Sequence, residues 1–181
     1  IYAEIIQRNS KRIESLITEL LNSSRPAEIS RSQVALQKVI EESIAAATDR
    51  ITLKKIKMNK QFPAADIVVM ADPEKLKIAF LNIIINAIEA MQPETGELTI
   101  LLKAGNLQSQ LFIQDNGCGI SEENLSRLFE PYFTAKRNGM GLGLASTLNI
   151  LQSHQAEVEV QSRLNEGSTF IITFNDINAA N

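Results

Sequence analysis

From Ile1 to about Leu21 the apolar residues Ile5, Ile6, Ile13, Leu16, Ile17, Leu20 and Leu21 recur at spacings of three and four, interrupted by Arg8, Lys11, Arg12 and Glu14. That period predicts a long amphipathic helix whose stripe packs on the globular part or on a second copy in a helical bundle. Asn22–Ser30, with its turn formers and Pro26, reads as a linker. A second helix is expected from Val34 to about Arg50, with Val34, Val39, Ile40 and Ile44 on one side. Ile56, Met58, Lys60 and Phe62 alternate with Lys57, Asn59 and Gln61, which predicts a strand, and Ile67–Met70 predicts another. Asp72, Pro73 and Glu74 form a helix start of N-cap, first-turn proline and acid, and this helix is expected to run to about Met91. Two strands, Glu97–Ala104 and Gln108–Gln114, follow around Gly105-Asn106. A short helix over Ser121–Leu128, an irregular stretch, a helix from about Leu142 to His154 and strands near 157–162 and 168–174 complete the chain. Strands that bunch in sequence rather than alternating strictly with helices predict an α+β fold with helices on one face of the sheet.

At 181 residues the chain has room for one domain of ordinary size and an appended element. No apolar run approaches the roughly 20 residues that span a bilayer, so no membrane contact is expected. Nothing at Ile1 reads as a signal peptide. A net charge of −3 and the absence of Trp offer neither a basic field nor stacking platforms, so nucleic acid is not an expected partner. The single cysteine, Cys118, can form no internal disulfide, which fits the cytosol.

Three stretches carry chemistry. The apolar helix Phe80–Met91 holds Asn82 and Asn86 one turn apart on one face. Burying an amide without a partner costs about 1–3 kcal/mol, so either neighbouring backbone or a bound cation or nucleotide satisfies them. The amide oxygen is a hard ligand suited to Mg²⁺. In Asp115-Asn116-Gly117-Cys118-Gly119-Ile120 the chain leaves a strand for a helix, so Gly117 and Gly119 let backbone pass close to a ligand while Asp115 points into a cleft, where it can accept from an exocyclic amine such as that of adenine. Gly139-Met140-Gly141-Leu142-Gly143-Leu144 opens a helix and places free backbone N–H groups where phosphate oxygens bind. Lys136 and Arg137 just upstream either reach those phosphates or are solvated loop charges.

In order along the chain, Asn82–Ala90, Asp115–Gly119, Phe129–Thr134 and Gly139–Leu144 resemble the four nucleotide-binding boxes of bacterial sensor histidine kinases. The resemblance covers about residues 28–175 and extends to the wider class that includes type II topoisomerase, heat-shock chaperone and mismatch-repair ATPases. It implies a two-layer α/β sandwich of the Bergerat type, a mixed sheet carrying three main helices. It also implies a division into residues 1–24, the second helix of a dimerisation and phosphotransfer hairpin, and 25–181, the catalytic ATP-binding domain. Asn86 would ligate Mg²⁺ and Asn82 would hold phosphates. Asp115 would bind the adenine amine in a pocket shaped by Gly117 and Gly119, with Thr169 assisting through water. Gly139, Gly141, Gly143 and Leu144 would supply the hinge and phosphate contacts of a short lid, roughly 133–140, which resembles that of nitrogen-regulator type kinases. Lys136 and Arg137 would join them. The phosphoacceptor histidine is expected upstream of Ile1, so the chain alone would bind ATP without phosphorylating itself; a homodimer through the first helix and a response regulator receiver domain are the implied partners.

Two features depart from that pattern. His154, the sole histidine, lacks the surroundings of a phosphoacceptor, and Glu89 stands where many relatives carry a basic phosphate-binding residue. The competing readings are an ATP-hydrolysing clamp of the same superfamily and a nucleotide-binding scaffold without catalysis. The clamp needs a glutamate one turn before the metal-binding asparagine to activate water, and this chain has Asn82 there.

Overall fold

The computed structural model describes residues 29–134 and 141–175. The amphipathic helix expected over the first 24 residues, the dimerisation reading placed on it, and Lys136, Arg137 and Gly139 lie outside the described residues.

Two sheets and four helices make up the described fold. Strand β1 (Ser32–Ala35) pairs antiparallel with β3 (Val68–Ala71) in a small sheet, with Gln33 opposite Met70. Strands β2 (Lys57–Gln61), β4 (Glu97–Ala104), β5 (Gln108–Asp115), β6 (Glu157–Arg163) and β7 (Gly167–Asn175) form a mixed sheet in the order β2-β4-β5-β7-β6, parallel only between β2 and β4. Helices α1 (Leu36–Lys54), α2 (Pro73–Ala90) and α4 (Gly143–Ser153) are the long ones, and α2 packs against both α1 and α4 and against β5 and β7. The expected α+β class and mixed sheet with three main helices are therefore present.

The core follows from sequence period. On α2, Leu76, Phe80, Ile83, Ile84 and Ile88 recur at helical spacing and are fully buried, each burial stabilising by about 1.5–3 kcal/mol. The ring of Phe80 meets Phe174 of β7 edge-on, with centroids 6.2 Å apart. On the helix-facing side of the sheet, cross-strand rows run Leu102–Leu111–Ile172–Val158 and Ile100–Ile113–Phe170–Val160. The next row is Leu98–Asp115–Ser168–Ser162, where the apolar face turns polar.

Asp72 caps α2 by accepting from the Lys75 N–H at 3.1 Å, with Pro73 following, as the sequence predicts. At its other end the ammonium of Lys54, the last residue of α1, donates to the carbonyls of Ile88, Glu89 and Met91 at 2.9, 3.3 and 3.0 Å, answering the orphan C=O groups of the last turn. Two expected boundaries are corrected. Val34 belongs to β1 rather than to the following helix, because the Leu36 N–H donates to Ile67 O and Ser32–Ala35 lie extended against β3. The expected helix over Ser121–Leu128 shrinks to α3 (Glu122–Leu125), capped by Ser121, because Arg127 and Leu128 donate only three residues back, to Asn124 and Leu125.

Candidate functional site

The polar end of the sheet face is a built corner. Asp115 ends β5, Ser168 lies opposite it near the start of β7, and Ser162 lies opposite Ser168 on β6, so the three side chains share one face in one row. Asp115 is only 4% exposed and Ser168 6%. A carboxylate Oδ1 of Asp115 accepts the Gly117 N–H at 2.8 Å. Burial raises the Asp115 pKa above its ordinary 3.8, opposed by backbone N–H bonds from Gly117 and Ser168. Ionised Asp115 is acceptor-only and partly desolvated, a strong partner for a ligand N–H.

Backbone close to backbone shapes the loop after Asp115. Gly117 lies against the end of α2, where a Cβ would come 2.7 Å from Ala90 O, and the Cys118 N–H donates to that carbonyl at 3.1 Å. Gly119 at φ +68° and Gly167 at φ +101° take left-handed conformations, and a Cβ on either would collide with a carbonyl, 1.9 Å from Arg163 O and 2.0 Å from Asp115 O respectively. Asn116 points away from the corner: its Oδ1 accepts the Glu97 N–H at 2.8 Å and its Nδ2 donates to Thr95 O at 3.0 Å, tying the loop to the entry of β4.

At the other end of the site, α4 begins at Leu142–Gly143 with no side-chain cap and no acid in its first turn. Its leading N–H groups and dipole favour an anion. Asn82 and Asn86 are half-buried on α2, and Asn82 reaches across: its Nδ2 donates to Gly143 O at 3.3 Å and to Thr147 Oγ1 at 3.4 Å. Leu144 packs against the core, which seats this helix start. Gly141 meets the chain at Tyr132, whose N–H donates to its carbonyl at 3.0 Å. Arg127 stacks over the Phe133 ring, 4.6 Å from its centroid.

The expected residues thus fall into two groups on the described fold. Asp115, Gly117 and Gly119 make the corner; Asn82, Gly141, Gly143 and Leu144 meet at the start of α4, with Asn86 one turn further along α2. Thr169 joins neither. It shares its parity on β7 with Ile171 and Thr173, so it faces the other side of the sheet, opposite Gln114, and Ser168 occupies the place next to Asp115. Ser162, Ser168 and Thr147 were not singled out from sequence. Ser168 carries the same parity as Phe170, Ile172 and Phe174, a signal that was present. Glu89 lies 3.5 Å from Arg50 on α1, half exposed. His154 is buried, with Nδ1 donating to Ile150 O at 2.7 Å and Nε2 accepting the Asp72 N–H at 3.0 Å. Nδ1 closes the end of α4 and Nε2 ties it to the start of α2.

The family model for histidine kinase-, DNA gyrase B- and HSP90-like ATPases matches residues 71–177. Sporulation kinase E of Bacillus subtilis is 33% identical over 96% of this chain, and the sensor histidine kinase ZraS of Klebsiella oxytoca is 31% identical over 93%. The chain spans 23% and 36% of those relatives. The catalytic domain of histidine kinase ThkA superposes with a TM-score of 0.74 at 26% identity, covering 81% of this chain and 96% of that domain. With its Asp115 corner, its uncapped start of α4 and a family match over more than half its length, the chain belongs to the histidine kinase-, DNA gyrase B- and HSP90-like ATPase family.

Proposed function

We propose that this chain is the ATP-binding catalytic module of a cytoplasmic sensor histidine kinase, passing the γ-phosphoryl of ATP to a histidine outside this sequence and thence to a response regulator aspartate. The observation that carries this reading is the pairing of a buried acceptor corner at Asp115 with an uncapped helix start at Gly143, both attached to α2. In this reading Asp115 accepts from the adenine amine, and the N–H groups at Gly143 and Leu144 face the phosphates. Lys136, Arg137, Gly139 and Gly141, by the resemblance, would add further phosphate contacts.

A magnesium ion fits this donor set. Among the described residues no group of three His, Cys, Asp or Glu could hold a metal, so the Asn86 amide oxygen would act together with phosphates and water, the mixture Mg²⁺ prefers. When bound, the ion neutralises charge developing on the phosphate oxygens. Asn82 orients the start of α4 through Gly143 and Thr147. An amide is no general base, so water is not activated at this position, which favours transfer to a protein nucleophile over hydrolysis. His154 has both ring nitrogens engaged, which is why the acceptor is assigned outside the chain. The amphipathic stripe at 5–21 supports pairing with a second copy and the division at residues 24 and 25.

Radiolabelled ATP supplied to the full-length protein tests this. The proposal expects acid-labile, alkali-stable label on the protein, abolished by Asn86→Ala. Free phosphate released without protein label would instead establish the hydrolytic clamp, and neither product would establish the scaffold.

A further inference from the structure

The hydrogen-bond arithmetic at Ser162 reaches beyond the site's identity to its selectivity. The Ser162 hydroxyl has three partners: it accepts the Ile120 N–H at 2.8 Å, donates to Gly167 O at 2.8 Å, and lies 2.9 Å from Ser168 Oγ. A hydroxyl has one hydrogen and two acceptor sites. With its hydrogen on Gly167 O and one acceptor site filled by Ile120, Ser162 can only accept from Ser168. The Ser168 hydrogen is therefore spent inside the protein, and that hydroxyl turns only lone pairs toward anything seated beside Asp115, its cross-strand partner.

We propose that Ser162 is a specificity-determining positioning residue: by fixing the direction of the Ser162–Ser168 hydrogen bond it makes the corner acceptor-only, selecting a 6-amino over a 6-oxo purine. Asp115 and Ser168 together then offer acceptors to the amine of adenine, directly or through water, and no donor to a 6-oxo group. Ser162 also ties the loop at Ile120 to the start of β7, so the walls of the corner and its polarity are set by one side chain. Without the Ser162 oxygen the Ser168 hydroxyl is free to rotate and can donate to a 6-oxo group. This inference rests on the nucleotide reading above, with the base at Asp115.

The probes are ATP and inosine triphosphate, which differ in the 6-amino or 6-oxo group of the base and in the hydrogen that the 6-oxo form carries on N1, titrated by calorimetry into the native chain and into Asp115→Asn, Ser162→Ala, Ser162→Thr and Ser168→Ala, each checked for folding. The native chain prefers ATP, and Ser162→Ala narrows that preference by about tenfold, the scale of one hydrogen bond. Ser162→Thr, which keeps a hydroxyl, restores it. Ser168→Ala, which leaves the Ser162 bonds to Ile120 and Gly167 in place, narrows it too and carries the test alone where Ser162→Ala does not fold. ATP binding that depends on Asp115 but a preference unchanged in folded Ser162→Ala or Ser168→Ala overturns this inference and leaves the nucleotide reading standing. A native chain that binds no ATP overturns both.

Discussion

Asp115 and Gly143, at the two ends of the site, have different surroundings. At the Asp115 end, three strand positions and a loop are locked by short bonds, 2.8 Å from Gly117 to Asp115 and from Ile120 to Ser162, with glycines where any side chain would strike a carbonyl. At the Gly143 end the bonds from Asn82 are longer, 3.3 and 3.4 Å, and a Cβ on Gly143 would meet nothing closer than 3.9 Å, while the one tight glycine, Gly141, lies before the helix, where a Cβ would come 2.5 Å from Phe133 O. The difference fits the base and phosphate ends proposed above. A flat base with a fixed donor pattern rewards preorganised acceptors, whereas a mobile, charged phosphate chain is held by helix-terminal N–H groups that tolerate variation.

The largest effect that would sharpen this contrast comes from Gly167→Ala. Its φ of +101° and a Cβ 2.0 Å from Asp115 O put strain and overpacking together, a loss of about 2–5 kcal/mol. For a domain of this size that lowers Tm by roughly 10 °C, measured by thermal unfolding. The matching change at the other end, Gly143→Ala, should leave Tm unchanged or slightly raised, since it adds a helix former at an open position. ATP affinity should then fall by less than about tenfold. Equal destabilisation by the two substitutions would break the comparison.

Asp115→Asn comes next. Replacing an ionised acceptor costs about 1.5–3 kcal/mol of binding, or roughly 10- to 150-fold in ATP affinity. Its effect on folding has the opposite sign. Because burial raises the folded pKa above 3.8, the native state holds the proton more tightly than the unfolded chain. The stability linked to this group is therefore full below pH 3.8 and is lost as pH rises through the raised value. At neutral pH the amide should match or exceed the native Tm while binding ATP poorly. Native ATP affinity should climb as pH rises through the same window, which titrations at several pH values would record.

The smallest effect concerns the joint far from the base. His154 has its pKa lowered from 6.5, chiefly by burial and also by Arg31, against the raising influence of its Ile150 bond and of Asp72. The unfolded chain therefore binds the proton first, and stability from neutral His154 is present above pH 6.5 and lost as pH falls from there through the lowered value. Unfolding followed between about pH 8 and about pH 5 should show that decline, and His154→Gln should flatten it without shifting ATP selectivity.

Much of this architecture was legible before any coordinates. The helical period around Phe80–Ile88 and the capping signal Asp72-Pro73 marked α2 to within a residue or so, because burial and cap chemistry agree there. The start of α1 was not legible: Val34 fits a helical stripe as well as a strand, and only its pairing with Val69 decides between them. On the site, single residues with one chemical reading, Asp115 and the glycines, could be placed from sequence. The serines could not, since a hydroxyl in a strand is ordinary until the register puts three polar side chains in one row. Thr169 lies one residue of parity from Ser168, opposite Gln114 rather than Asp115, which only the register shows. Ser30, the last residue of the expected linker, whose N–H donates to Asp72 at 3.2 Å, and Arg31 just after it, whose guanidinium donates to Ser153 O at 2.6 Å, are anchored by tertiary contacts that no local pattern announces.

Calorimetric titration of Mg-ATP into the native chain and into folded Asp115→Asn tests the central claim most directly. Binding in the micromolar to sub-millimolar range that weakens at least about tenfold in the variant is what the two-ended site predicts; equal binding by the two proteins, or none by the native chain, would contradict it.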